Sequence, residues 1–163
     1  MAQQQTLETL FVETLKDIFY AEKQILKALR KMARSAESPE LKQAFQQHRD
    51  ETEGHVERLQ QIFEMLEKPA RGKTCDAILG IIEEGKEVME EFEGSDALDA
   101  GLTAAAQAVE HYEIARYGTL KTWALQLGMK DAAALLDQTL QEEKKTDELL
   151  SGLAGQTVNK KAA

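Results

Sequence analysis

Apolar residues recur along most of the chain at alternating steps of three and four, the spacing of amphipathic helices. From about Thr6 to Ala36 the row reads Leu7, Phe11, Leu15, Ile18, Glu22, Ile25, Leu29 and Met32, so a carboxylate stands where the pattern asks for an apolar residue. Ser38 followed by Pro39 has the form of an N-cap and first helical position. A second helix through Leu66 then carries Leu41, Phe45, Leu59, Ile62 and Leu66, and the same row passes through His48, Thr52 and His55. Beyond Pro69-Ala70-Arg71-Gly72 a shorter amphipathic helix, about 74–92, presents Ile78, Leu79, Ile81, Ile82, Val88 and Met89. Gly94-Ser95-Asp96 supplies a break and a cap, and a third long helix to about Leu127 lines up Leu102, Ala106, Val109, Glu113, Leu120 and Ala124. Gly128 ends it, and a fourth long helix from about Lys130 to Gly152 aligns Leu136, Leu140, Glu143, Asp147 and Leu150.

Two helical hairpins, about 6–67 and 96–152, joined by a long connection predict an all-α, ferritin-like four-helix bundle with an additional crossover helix. The whole of 1–163 reads as one such domain, with 153–163 expected to fray as a tail. A weak internal repeat agrees: a shift of 91 residues lays Glu22, Leu29, Met32 and Ala33 on Glu113, Leu120, Trp123 and Ala124. In the following helix a shift of 92 lays Glu51 and His55 on Glu143 and Asp147, with the residue of slip assigned to the loop.

Composition narrows the class. A length of 163 residues with 42% hydrophobic and 30% charged residues suits one globular domain with a sizeable core. No apolar run approaches a bilayer span, and the start, Met1-Ala2-Gln3-Gln4-Gln5, lacks the basic and apolar regions of a secretory signal, so a soluble cytoplasmic protein is expected. Cys75 is the only cysteine, which rules out an intrachain disulfide and leaves a structural thiol as its default role. A net charge of −9 and a pI near 4.9 argue against nucleic acid or an anionic membrane as a partner.

The chemistry lies in the interrupted stripes. An unpaired ionised carboxylate in an apolar core is penalised by several kcal/mol, and clustered acids repel one another besides. Glu22, Glu51 with His55, Glu110 with Glu113, and Glu143 with Asp147 place acids on four helices, each pair three or four residues apart and so on one helical face. This is the layout of a dinuclear metal site, with two divalent ions, iron first and manganese as the alternative, on hard oxygen and imidazole donors. Glu51, Glu110, Glu113 and Glu143 are expected as bridges and Glu22, His55 and Asp147 as terminal ligands. The blander readings are specific: a lone Glu22 can snorkel to the stripe's edge, and Glu83, Glu84, Glu87, Glu90, Glu91 and Glu93 are a solvated face of the crossover helix. His55 follows Gly54, whose missing side chain permits close helix approach. His48, a turn nearer the loop, suits packing or support of a ligand better than ligation. His111 lies off the stripe, among Ala104, Ala108, Ala115 and Gly118; this small-residue face predicts a tight helix contact and a symmetric homodimer, with the crossover helix nearest the interface. Tyr20 and Tyr112 are candidates to hydrogen-bond a bound carboxylate. No phosphate loop and no serine elbow is present.

The segments Asp17 to Glu22, His48-Arg-Asp-Glu51-Thr-Glu-Gly-His55, Glu110-His-Tyr-Glu113-Ile-Ala115 and Glu142-Glu143-Lys-Lys-Thr-Asp147 resemble the YciE/YciF family of bacterial ferritin-like proteins, and more distantly rubrerythrin. The resemblance covers the whole chain and implies a ferritin-like bundle, a dimer, a dinuclear iron site and a role in stress-related handling of iron, dioxygen or peroxide. The chain departs from the usual ferritin-like pattern of a Glu-x-x-His pair in the second and fourth helices: Glu51 and His55 are four apart, and Asp147 stands in place of a histidine. Two readings compete with the di-iron site: a metal-free structural or interaction bundle whose acids pair with Lys and Arg, and a manganese catalase-like enzyme.

Overall fold

The computed structural model describes residues 4–163; Met1, Ala2 and Gln3, part of the start read above as lacking a signal sequence, lie outside the described residues. Four long helices, α1 (Leu7–Ser35), α2 (Pro39–Met65), α4 (Leu98–Gln126) and α5 (Lys130–Leu153), form two hairpins, and α3 (Asp76–Glu91) connects them. α1 packs on α2 and α4, α5 packs on α4 and α2, and the crossover α3 lies along α4 and α1. No helix of the described residues is long and apolar enough to cross a membrane.

Local chemistry sets the helix ends. Thr6 accepts a hydrogen bond from the Thr9 amide at 3.2 Å, Ser38 from Leu41 at 3.3 Å and the Cys75 thiol from Ile78 at 3.4 Å, each satisfying a donor that the first turn leaves free. At α4 the expected cap is displaced: Ser95 accepts from the Ala97 amide one turn earlier, and Ala97 itself offers no side-chain cap.

The buried rows show why the halves match. Phe11, Leu15, Ile18, Glu22 and Leu29 of α1 correspond at a shift of 91 to Leu102, Ala106, Val109, Glu113 and Leu120 of α4, all buried. The same shift relates Leu41, Phe45, His48, Thr52, His55 and Leu59 of α2 to Ala132, Leu136, Thr139, Glu143, Thr146 and Leu150 of α5. The residue of slip expected in the second pair is therefore absent. Glu143 pairs with Thr52 and His55 with Thr146, because the steps of four and three that keep a side chain in the core run through Thr52 rather than Glu51.

Three further expectations change. The tail expected to fray continues as a π-helical turn, Ala154–Val158, and a short helix α6 (Asn159–Ala162); Val158 is buried, and Lys161 reaches Glu37 at 3.2 Å and Asp96 at 3.6 Å. The small-residue row of α4 makes no tight contact within the chain, since Ala104, Ala108, His111 and Ala115 are exposed. Close approach occurs instead at Gly101, where a Cβ would stand 2.5 Å from Val88 Cγ1, so the glycine lets α3 settle onto α4. Gly54 has only ordinary clearance, 3.9 Å to Arg58.

Asp99, buried in the first turn of α4, accepts from the Glu37 amide at 2.8 Å and the Ser38 amide at 2.7 Å and so ties the α1–α2 turn to the second hairpin. Removing that acceptor leaves two backbone donors without a partner. Asp99→Ala should lower unfolding stability by about 2 kcal/mol, while exposed Asp96→Ala should stay within about 0.5 kcal/mol. Urea unfolding of the two variants beside the parent checks the contrast, and equal midpoints would remove Asp99 from this role.

Candidate metal centre

The core of the bundle holds Glu22 from α1, His48 and His55 from α2, Glu110, Glu113 and Tyr117 from α4, and Glu143 from α5, each 3% exposed or less. Two sets of donor atoms converge here: His48 with Glu110, Glu113 and Glu143, and Glu22 with His55 and Glu113, the atoms of each set lying within 4.8 Å of one another. Glu113 is common to both. His48 Nε2 stands 2.5 Å from Glu110, and His55 Nδ1 stands 3.0 Å from Glu143 and 3.6 Å from Glu22. Tyr117 donates to Glu22 Oε1 at 2.6 Å, and its ring meets His55 edge to face with centroids 6.3 Å apart.

The electrostatics are those of crowded buried charge. Burial drives Glu110 and Glu113 well above the usual carboxylate range; Glu143 adds to both, Glu22 pushes Glu113 further, and His48 works against the rise at Glu110. Glu143 is held below the usual range, since the close approach of Glu113, Glu110 and His55, which favours its charged form, outweighs its burial. Burial alone would lower both histidines; the Glu110 charge instead lifts His48 to about 10, and Glu142, Glu143 and Glu22 lift His55 to about 12. Tyr117 is pushed up by burial and by Glu22. Even so, Glu22 Oε2 and both oxygens of Glu110, Glu113 and Glu143 accept no well-formed hydrogen bond, which is rare for buried polar atoms.

The sequence-predicted residues divide. Glu22, His55, Glu110, Glu113 and Glu143 come together. Glu51 does not: it is half-buried at the α2–α5 seam, accepting from Gln47 at 3.2 Å and Thr146 at 3.3 Å, with His48 Nδ1 3.9 Å away. Asp147 lies at the α4–α5 seam outside the cluster, where it meets exposed His111 at 3.1 Å and Gln107 at 3.3 Å. His48, expected to pack or to support a ligand rather than to ligate, sits inside the cluster. Tyr112 donates to Asp17 at 2.8 Å and lies 3.1 Å from the Cys75 thiol, outside the cluster. Neither Tyr117 nor Glu142 is among the sequence-predicted site residues. The signal for Tyr117 was its place four residues after Glu113; that for Glu142 was its match to Glu51 at a shift of 91.

Glu142 closes one side of the centre. Arg58 donates to it through both terminal nitrogens, at 2.6 and 2.8 Å, and His55 Nε2 stands 3.1 Å from the same carboxylate. The imidazole is thereby oriented with Nδ1 toward Glu143 and Glu22.

A family model described as a domain of unknown function, DUF892, matches residues 6–163. The chain belongs to that family. It is 49% identical over 158 residues to Protein YciF of Escherichia coli K12, covering 96% of this chain and 95% of that protein. The crystal structure of the E. coli stress protein YciF superposes with a TM-score of 0.91 at 48% identity, covering 96% of this chain and 99% of that one. YcfI from Rhodopseudomonas palustris, whose own description offers a structural role, superposes with a TM-score of 0.88 at 46% identity over 90% of this chain and 94% of its own.

Burial raises Glu142, but hydrogen bonds from His55 and Arg58 outweigh it and hold the group at about 2. Its contribution to stability is therefore complete above about pH 4.5 and is lost as pH falls toward about 2. In denaturant titrations of metal-free protein the parent should lose stability relative to Glu142→Gln across that window. Parallel pH profiles would show that the pair contributes nothing.

Proposed function

We propose that DUF892 chains of this kind hold two divalent metal ions in the bundle core, iron first and manganese as the alternative, in a ferritin-like centre. The observation that carries the reading is the set of seven buried carboxylate oxygens without a well-formed hydrogen bond, around two imidazoles. Four carboxylates carry formal charge −4, which two divalent ions balance when both histidines are neutral. His48, Glu110, Glu113 and Glu143 would hold one ion, Glu22, His55 and Glu113 the other, with Glu113 as the bridge. Glu51 and Asp147 fall outside this set. Glu142 and Arg58 orient His55, and Tyr117 orients Glu22. Bound iron would supply redox chemistry toward dioxygen or peroxide. Similarity to YciF, described as a stress protein, supports a role in handling iron or those oxidants during stress. The metal-free structural reading rests on the His48–Glu110 and His55–Glu143 contacts, in which protonated imidazoles act as the counter-ions.

Anaerobic loading with ferrous or manganous ion separates the two readings. Near two metals per chain are expected in the parent, in Glu51→Ala and in Glu90→Ala, and strongly reduced content in Glu113→Ala and Glu143→Ala. The parent's melting temperature should rise, corresponding to about 2.7 kcal/mol at a hundredfold excess of metal over its Kd. An unchanged melting curve and equal metal content in all the variants would favour the structural reading.

We also propose a homodimer through the exposed row of Ala104, Ala108, His111 and Ala115, which lets two backbones approach closely. Light scattering at micromolar concentration should give twice the chain mass of 18.2 kDa; a monomeric mass would refute the contact.

A further inference from the structure

The acidity of this protein is unevenly spread. From Lys23 to Ala36, α1 carries Lys23, Lys27, Arg30, Lys31 and Arg34 and no Asp or Glu. Where this half of α1 faces α2 near their turn, a groove of about 540 Å³ is lined by Arg30, Arg34, Lys42 and Arg49 together with Leu29, Ala33 and Gln46. No carboxylate lines it. Among the described residues none of these four cations enters an ion pair, although seven other pairs between Lys or Arg and Asp or Glu form across the molecule. The Nε of Arg49 is buried and has no hydrogen-bond partner.

Four like charges brought together without counter-charge repel, and a buried guanidinium N–H without an acceptor forfeits the hydration it had in the unfolded chain. An acceptor with several oxygens and more than one negative charge offsets that repulsion, and guanidinium forks match its geometry bidentately. We propose that this groove binds a small, multiply charged oxyanion of the phosphate class, such as a diphosphate group. The charge of −9 selects for size: a long polyanion meets the repulsion of the whole surface, while a compact ion seated among four cations feels mainly what lies within a Debye length of about 8 Å.

Calorimetric titration of the full chain with sodium pyrophosphate, at ionic strength fixed with chloride, should show saturable binding of one ion per chain. Arg49→Ala and the double variant Arg34→Ala with Lys42→Ala should weaken it tenfold or more. Arg71→Ala, on the α2–α3 connection, and Glu113→Gln, in the buried cluster, should leave it unchanged. In the unaltered protein the Arg49 side-chain Nε–H resonance should shift on saturation, a readout independent of how the variants fold. Non-saturable heat, an unmoved Arg49 resonance, equal affinity in the Arg49 variant, or loss of binding in Glu113→Gln would each overturn the assignment. So would binding to duplex DNA or phosphatidylglycerol vesicles without binding of pyrophosphate.

Discussion

Charge neutrality in a dry core is the constraint around which this fold is arranged. Four carboxylates and two imidazoles are buried among the core positions of the helices, and the low local dielectric makes an unmatched charge among them expensive. Protonated histidines, raised carboxyl groups or metal ions each meet the constraint, and each leaves a different number of protons in the core. The surrounding contacts do not neutralise the cluster; they fix its shape. Tyr117 steadies Glu22, and the Arg58–Glu142 pair turns one face of His55 outward and the other inward.

Much of the fold was legible because helical periodicity records burial directly. Helix order, the breaks at Pro39 and Pro69 and the crossover connection all followed from it, and the helix ends fell within a few residues of their place. Two kinds of feature were not legible. Asp99 reads in sequence as an ordinary acid of a first helical turn, and only the tertiary approach of Glu37 and Ser38 reveals its two backbone bonds. Val158 is an isolated apolar residue, too little to forecast that the tail would dock.

In the buried cluster, Glu22, Glu110, Glu113 and Glu143 stand together on the helices expected of them, but the angular placement expected on α2 and α5 is off by one residue. A helix turns about 100° per residue, so Glu51 and Asp147 each point away from the direction taken by Thr52 and Thr146. The apolar row through His48, Thr52 and His55 already held the right register; preferring a carboxylate to a threonine broke it. Polar residues that follow the hydrophobic phase are the better guide, even when their chemistry looks less suited to a site.

The 91-residue correspondence has a consequence for what each half contains. At matching depths the first hairpin carries Thr52 and His55 and the second carries Glu143 and Thr146, so each holds one different half of a Glu-x-x-His pair. The first supplies imidazole and a single acid; the second supplies three acids and no imidazole. Two copies of either hairpin, paired with themselves, would bury a different set of acids and imidazoles. The centre is thus a property of the heterologous pairing alone: duplicated architecture, with its chemistry divided between the copies.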